Sequence, residues 1–319
     1  MPESSTNYFG SDNGIFIYGG VMMTLDLFLQ HLANGISMGS LYALIAIGYT
    51  MVYGILRLIN FAHGDIFMMA TYFAFFGGVT FGMPWYISFP LVIVLTAILG
   101  VLVEASAYRP LRDAPKISIL ISAIGASFLL ENLAIVLFGG VPKPFPAPDA
   151  FTSVIQIGTI AIQKVTFYIP VVTIGCLIIL LYLINKTKTG MAMRAVSKDH
   201  ETARLMGVNV NRTISLTFGI GSALAAVGGI MWGMKYPQIA PLMGVIPGLK
   251  CFIAAVIGGI GDIKGAVIGG FLLGIGEIML IAFLPDLTGY RDALAFILLI
   301  VILLYKPTGI MGEIIAEKV

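Results

Sequence analysis

The sequence predicts an all-α polytopic membrane protein with about 8–10 transmembrane helices, two Gly-interrupted segments and, from a tripeptide they share, an internal pseudo-repeat. Three observations predict it. Only 11% of the 319 residues are charged while 58% are hydrophobic, and a soluble domain of ordinary composition carries about 25% charged residues to solvate its surface. The mean hydropathy of +0.98 leaves the bilayer as the solvent. The apolar runs are continuous rather than alternating, which selects helices over a barrel, the two folds that satisfy every backbone group in hydrocarbon.

Residues 1–24 form a polar leader. It lacks the basic start of a secretory signal, since the first Lys or Arg in the chain is Arg57, and it reads as disordered or dispensable. The transmembrane body then runs over 25–310. Spans fall at 25–53, 66–81, 85–108, 117–138, 167–184, 213–234, 249–260, 266–284 and 293–305. The first is over-long and the seventh short for a helix crossing of about 20 residues. Residues 311–319 make a tail.

Of 18 Lys and Arg residues, thirteen fall on one side of this arrangement, among them Arg57, Arg109, Arg112 and a cluster from Lys186 to Arg212. Lys143, Lys164, Lys235, Lys250 and Arg291 fall on the other. The richer side is cytoplasmic by the positive-inside rule, which puts the carboxyl terminus inside and the leader outside. The net charge of +2 is too small to point to nucleic acid. Cys176 and Cys251 each sit inside an apolar run and predict packed thiols, not a disulfide.

Two connections stand out. The external one, 139–165, opens on a Pro-rich run from Val141 to Pro146, and its β-branched residues around Gly158-Thr159 predict a small hairpin. It reads as a landing surface for an external partner or as a cap over helix ends. The internal one, 185–212, is the most polar stretch. Ser197 or Asp199 is placed to cap a short helix that Gly207 ends. Val196, His200, Ala203 and Met206 form its apolar stripe, with Lys198, Glu201 and Arg204 elsewhere. Such a stripe is buried by docking on a cytoplasmic partner, or against the helix ends and headgroups.

The two breaks are Gly54–Ile66, with Arg57, Asn60, His63, Gly64 and Asp65, and Gly258–Gly265, with Gly261 and Asp262. Both contain Gly-Asp-Ile. Irregular backbone at membrane depth is tolerated beside protein or water, so paired breaks point to a translocation route; a tight cytoplasmic turn is the alternative, above all for the second. Glycines at Gly35 and Gly39, at Gly261, Gly265 and Gly269, and at Gly270 and Gly274 follow the spacing of close helix packing. Among the intramembrane carboxylates, Glu104 is placed in solvent at a cytoplasmic end. Glu131 and Glu277 lie deeper, as internal hydrogen-bonders or path-lining groups.

Catalytic signatures are missing from the sequence. There is no phosphate-binding loop around Lys264, no nucleophile elbow, and no metal-ligand spacing among His31, His63 and His200. No cofactor is implied, and ATP hydrolysis, if used, belongs to another chain.

The run from Asn34 to Gly54, followed by Asn60-Phe61-Ala62-His63-Gly64-Asp65, closely resembles the LivH-type permease of branched-chain amino-acid ABC importers. Ile121–Gly125, Gly190–Ala195, Gly258–Asp262 and Lys306–Ile310 match as well. The resemblance implies a LivM-type second permease subunit, two cytoplasmic ATPase subunits, a periplasmic or lipid-anchored amino-acid-binding protein, and a bacterial inner-membrane location. It also implies that 185–212 carries the coupling helix that sits on the ATPase, with Ser197, Glu201, Thr202, Ala203, Arg204 and Gly207 as coupling residues; Glu201-Thr202-Ala203 with Gly207 matches the core of its motif and Ile214-Ser215-Leu216 resembles the trailing part. Thr202 replaces the usual Ala there, the spacing after Gly207 is shorter, and no Pro follows Leu216. Asn60, His63, Gly64, Asp65, Gly261 and Asp262 are the candidate path residues. A permease for urea or short amides and a stand-alone secondary carrier are the competing functions.

Overall fold

The structure, a computed structural model, describes residues 16–18, 21–157 and 160–312. Most of the leader and of the tail therefore lies outside the described residues. Within the leader, β1 (Phe16–Tyr18) pairs antiparallel with β2 (Val21–Met23).

Thr24 accepts a hydrogen bond from the Leu27 N–H and starts α1 (Leu25–Leu56). After it come α2 (His63–Val79) and α3 (Trp85–Val103), which continues through a π turn (Glu104–Tyr108) and a 3-10 turn (Arg109–Leu111). α4 (Lys116–Phe138) leads into the long connection 139–165, which holds β3 (Lys143–Pro144), α5 (Asp149–Thr152), β4 (Val154–Ile157) and β5 (Ile160–Gln163). β4 and β5 form the expected hairpin, Val154 opposite Gln163; its turn, 158–159, lies outside the described residues. α6 (Lys164–Lys186), α7 (Lys188–Lys198), α8 (His200–Leu205) and α9 (Val210–Lys235) follow, then β6 (Gln238–Ile239), α10 (Val245–Gly258), α11 (Ile263–Phe283), a 3-10 turn (Pro285–Tyr290) and α12 (Arg291–Tyr305). β3 pairs with β6, joining the Pro-rich run to the connection before α10.

Among the described residues, seven helices are long and apolar enough to cross a membrane. α2 and α10, with 17 and 14 residues, span only ~26 and ~21 Å at 1.5 Å per residue, against a hydrocarbon core of about 30 Å. These two short apolar helices wall the cavity described below.

α1 is the axis of the fold. The most apolar window of α1 is 83% buried, whereas that of the Pro285–Tyr305 segment is 6% buried. α1 packs on α11, α9, α10 and α6. The glycine spacings explain the α1–α11 approach: a methyl on Gly39 would lie 2.8 Å from the Phe271 Cα, and one on Gly270 would lie 2.5 Å from the Ala43 nitrogen. Two backbones can meet this closely only without side chains between them. Cys176 and Cys251 are both free.

Candidate functional site

α1 ends in a left-handed residue, Arg57 (φ 53°), whose N–H donates to the Tyr53 carbonyl at 2.7 Å. The chain then turns back along α1 instead of leaving it. His63, the first residue of α2, sets its ring edge-on to Tyr49 at 4.5 Å between centroids and lies against Gly48. Gly48 precedes the end of α1 by eight residues, or ~12 Å, so α2 starts well inside the bundle. Its first turn meets the first turn of α10, where a methyl on Gly64 would lie 2.6 Å from the Gly244 carbonyl oxygen and 3.1 Å from the Gly248 Cα.

A cavity of about 140 Å³ opens where these helices meet. Gly64 and Asp65 of α2, Tyr49 of α1, Ser127 and Glu131 of α4, and Val245, Leu249 and Phe252 of α10 line it, with Ile59 and Phe61 from the connection. The Asp65 carboxylate is 2% exposed and accepts from the Ser127 hydroxyl at 2.5 Å. Glu131 stands one helical turn beyond Ser127, on the same face of α4. The cavity therefore offers two carboxylates against an aromatic and aliphatic wall. That combination suits a small molecule with an amino group and an apolar body.

The candidate path residues divide. Gly64 and Asp65 line the cavity. Asn60 and His63 are buried beside it, Asn60 accepting from the Tyr108 hydroxyl at 2.9 Å. Gly261 and Asp262 sit in the four-residue turn between α10 and α11, near Gly54 at the end of α1. There Asp262 caps α11 by accepting from the Gly265 N–H at 2.6 Å.

Residues 187–207 form an arm of two helices: α8 is the short helix expected to end at Gly207, and α7 precedes it. Asp199 is extended (φ −159°, ψ 118°), and its carboxylate accepts from the Glu201 and Thr202 N–H groups at 2.9 and 3.0 Å. Asp199 is thus the cap; Ser197 lies inside α7, its hydroxyl donating to the Arg194 carbonyl at 2.9 Å. Gly207 (φ 82°) ends α8 as anticipated, with the Val208 N–H donating to the Ala203 carbonyl at 3.0 Å. The break resets the helical phase and changes the stripe. Met193, Val196 and Ala203 are buried, but His200 is exposed and Met206 is 80% exposed beside Leu205 at 87%. Glu201, Thr202 and Arg204 are exposed as well. The His200 Nε2 reaches the Ile55 carbonyl at 3.0 Å, in the last turn of α1.

Two charges lie elsewhere than their sequence context suggests. Lys250 is not in an external loop. It is 2% exposed within α10, its Nζ 2.6 Å from Glu277 Oε1 and 2.6 Å from Asp292 Oδ1. The Tyr42 hydroxyl donates to Glu277 Oε2 at 2.9 Å, so Glu277 is an internal partner and joins α1, α10, α11 and α12. Glu104 is fully buried instead of solvated. It accepts from Arg109 and Ser215 at 2.8 and 2.7 Å, and from Arg112, which also donates to Asn211. Burial holds the Arg112 guanidinium below its ordinary value, with the Glu104 carboxylate opposing the shift in part; an arginine stays cationic throughout. This cluster fastens the end of α3 to the start of α9. Arg109 and Arg112 follow Glu104 by five and eight residues, the signal from which the cluster was readable. Ser127, Tyr49 and Phe252 gave none, because apolar helices do not announce which face meets a cavity.

A family model described as the permease component of branched-chain amino acid transport systems matches residues 31–303. The high-affinity branched-chain amino acid transport system permease protein BraD of Pseudomonas aeruginosa is 43% identical, covering 92% of this chain and 98% of BraD. LivH of Escherichia coli K12, described in the same words, is 41% identical over the same shares of both chains. A solved structure, PsaBC from Streptococcus pneumoniae in complex with Fab, aligns over 89% of this chain and 92% of that one, with 14% identity and a TM-score of 0.47.

Proposed function

This chain belongs to the permease-component family of branched-chain amino acid transport systems, and from that premise we propose that it is the membrane-spanning subunit of an ATP-binding-cassette importer for branched-chain amino acids. The near full-length identity with BraD and LivH carries the reading. The cavity and the arm supply its physical content. Asp65 and Glu131 hold the ammonium of the passing amino acid, and Tyr49, Phe61, Leu249 and Phe252 accommodate its side chain. Asn60 and His63 position the first turn of α2. The Gly261–Asp262 turn, with Gly54, forms the cytoplasmic end of the α1 wall.

Partners follow from what this chain lacks. Val245 and Leu249 rim the cavity and are 43% and 37% exposed, so a second permease subunit of the LivM type closes it. Leu205 and Met206 project from the arm without cover, and with Glu201, Thr202 and Arg204 they form the face that sits on a cytoplasmic ATPase. Two ATPases supply hydrolysis, and an external binding protein delivers the substrate to the bacterial inner membrane, with the carboxyl terminus of this chain inside.

Proteoliposomes decide between this and the alternatives. With both permeases, both ATPases and the binding protein present, labelled leucine enters only with ATP on the ATPase side. Uptake by this chain alone, driven by a proton or sodium gradient, would instead establish a secondary carrier. A binding protein that holds urea or a short amide and ignores leucine would move the substrate class.

A further inference from the structure

α8 is too short to be stable by itself, and its start is held by two contacts. Asp199 caps its start, and the neighbouring His200 reaches back 145 residues to α1. The Ile55 carbonyl it meets belongs to the last turn of α1, where carbonyls have no partner one turn further on. A carbonyl only accepts, so the His200 Nε2 carries the proton and donates it.

The position of this contact matters. Two residues beyond Ile55, Arg57 takes the left-handed conformation that turns the chain. Three further on, Asn60 is tied to Tyr108, and His63 is wedged between Gly48 and Tyr49. Gly64 and Asp65, at the cavity wall, come next. A ten-residue path therefore joins the His200 contact to the cavity carboxylate, through one left-handed residue and two buried polar side chains. His200 opens the same short helix that carries the exposed Glu201, Thr202 and Arg204.

We propose that His200 is the positioning residue that transmits arm movement to the substrate cavity, through the Nε2–H hydrogen bond that holds the last turn of α1. This rests on the importer reading above. A rigid α8 that shifts on its ATPase carries the end of α1 only while that bond persists, and the α1–α2 connection delivers the shift to Gly64 and Asp65. The bond must differ in strength between two arrangements of the arm for it to do this.

The test compares wild type, His200→Ala, His200→Phe and His200→Gln in the complete complex in proteoliposomes, with labelled leucine on its binding protein. The readout is leucine moved per ATP hydrolysed, together with retention of the ATPases on co-purification. His200→Ala and His200→Phe are expected to keep the ATPases bound and hydrolysing while the ratio falls about fivefold, the scale of one neutral hydrogen bond lost from one state. His200→Gln, which places an amide N–H near the Nε2 position, restores most of the ratio. An unchanged ratio in His200→Ala and His200→Phe overturns the proposal, as does failure of His200→Gln to restore it. Loss of the ATPases from the Ala and Phe variants also overturns it, because His200 would then serve docking. A wild-type complex without ATP-driven uptake would bring down the importer reading first, which the wild-type lane shows separately.

Discussion

The two segments that carry Gly-Asp-Ile share a tripeptide and do opposite things with it. In the first, the helix has already begun at His63, so Asp65 sits inside the first turn and turns its carboxylate to Ser127 and the cavity. In the second, the helix begins one residue after the aspartate, and Asp262 spends its carboxylate on the Gly265 N–H as a cap. The glycines differ likewise. Gly64 is in a helical turn pressed against the α10 backbone, whereas Gly261 (φ 103°) bends an open turn with nothing nearer a Cβ than the Gly54 Cα at 4.0 Å. A three-residue shift of the helix start relative to the aspartate thus separates a cavity wall from a hairpin. Identical tripeptides at matching places in two halves are not by themselves a repeated function.

Substitutions at the two segments break or sharpen this contrast. The largest effect is expected from Gly64→Leu. Its side chain would enter the Gly244 and Gly248 backbones, and forcing them apart costs about 3 kcal/mol, the upper end for overpacking. Heating in detergent followed by size-exclusion chromatography should show a sharply lower melting midpoint. An unchanged midpoint would mean that the two helix starts are not in contact. The smaller effect belongs to Asp262→Ala, which removes a cap worth about 1 kcal/mol. Stability should fall modestly, while leucine uptake per folded complex stays at the wild-type level. A transport defect out of proportion to the stability loss would place the second segment on the path after all.

Much of this fold is legible in the sequence. Span positions follow from bilayer thickness acting on continuous apolar runs, and 117–138 differs from α4 by one residue. The over-long first span is one 32-residue helix. The Gly39, Gly270 and Gly274 spacing announced a close crossing, which α1 and α11 make. Partnerships were harder to see. Lys250 beside an apolar run looks like an interfacial charge because its partners lie 27 and 42 residues further on, on other helices. Glu104 was placed in solvent on its position near a span end, yet Arg109, Arg112 and Ser215 enclose it. Asp199 was one of two caps open for the short helix of the arm, yet the apolar stripe was drawn across it from Val196. Local capping by that carboxylate outweighed the stripe and split it. Glu131 stood out as a deep carboxylate, but Ser127 and the cavity residues of α10 were invisible, since hydrophobicity alone does not separate a face that meets lipid from one that meets a passage.

The measurement that bears most directly on the account is ATP-driven leucine uptake by the complete complex carrying Asp65→Asn. Asparagine keeps the shape and an acceptor for Ser127 but removes the charge offered to the ammonium group. Losing a charged hydrogen bond, worth about 2 kcal/mol, lowers uptake roughly thirtyfold, with the fold intact and the ATPases still hydrolysing ATP. Uptake indistinguishable from wild type would show that the amino acid passes elsewhere and that Asp65 is a structural partner of Ser127.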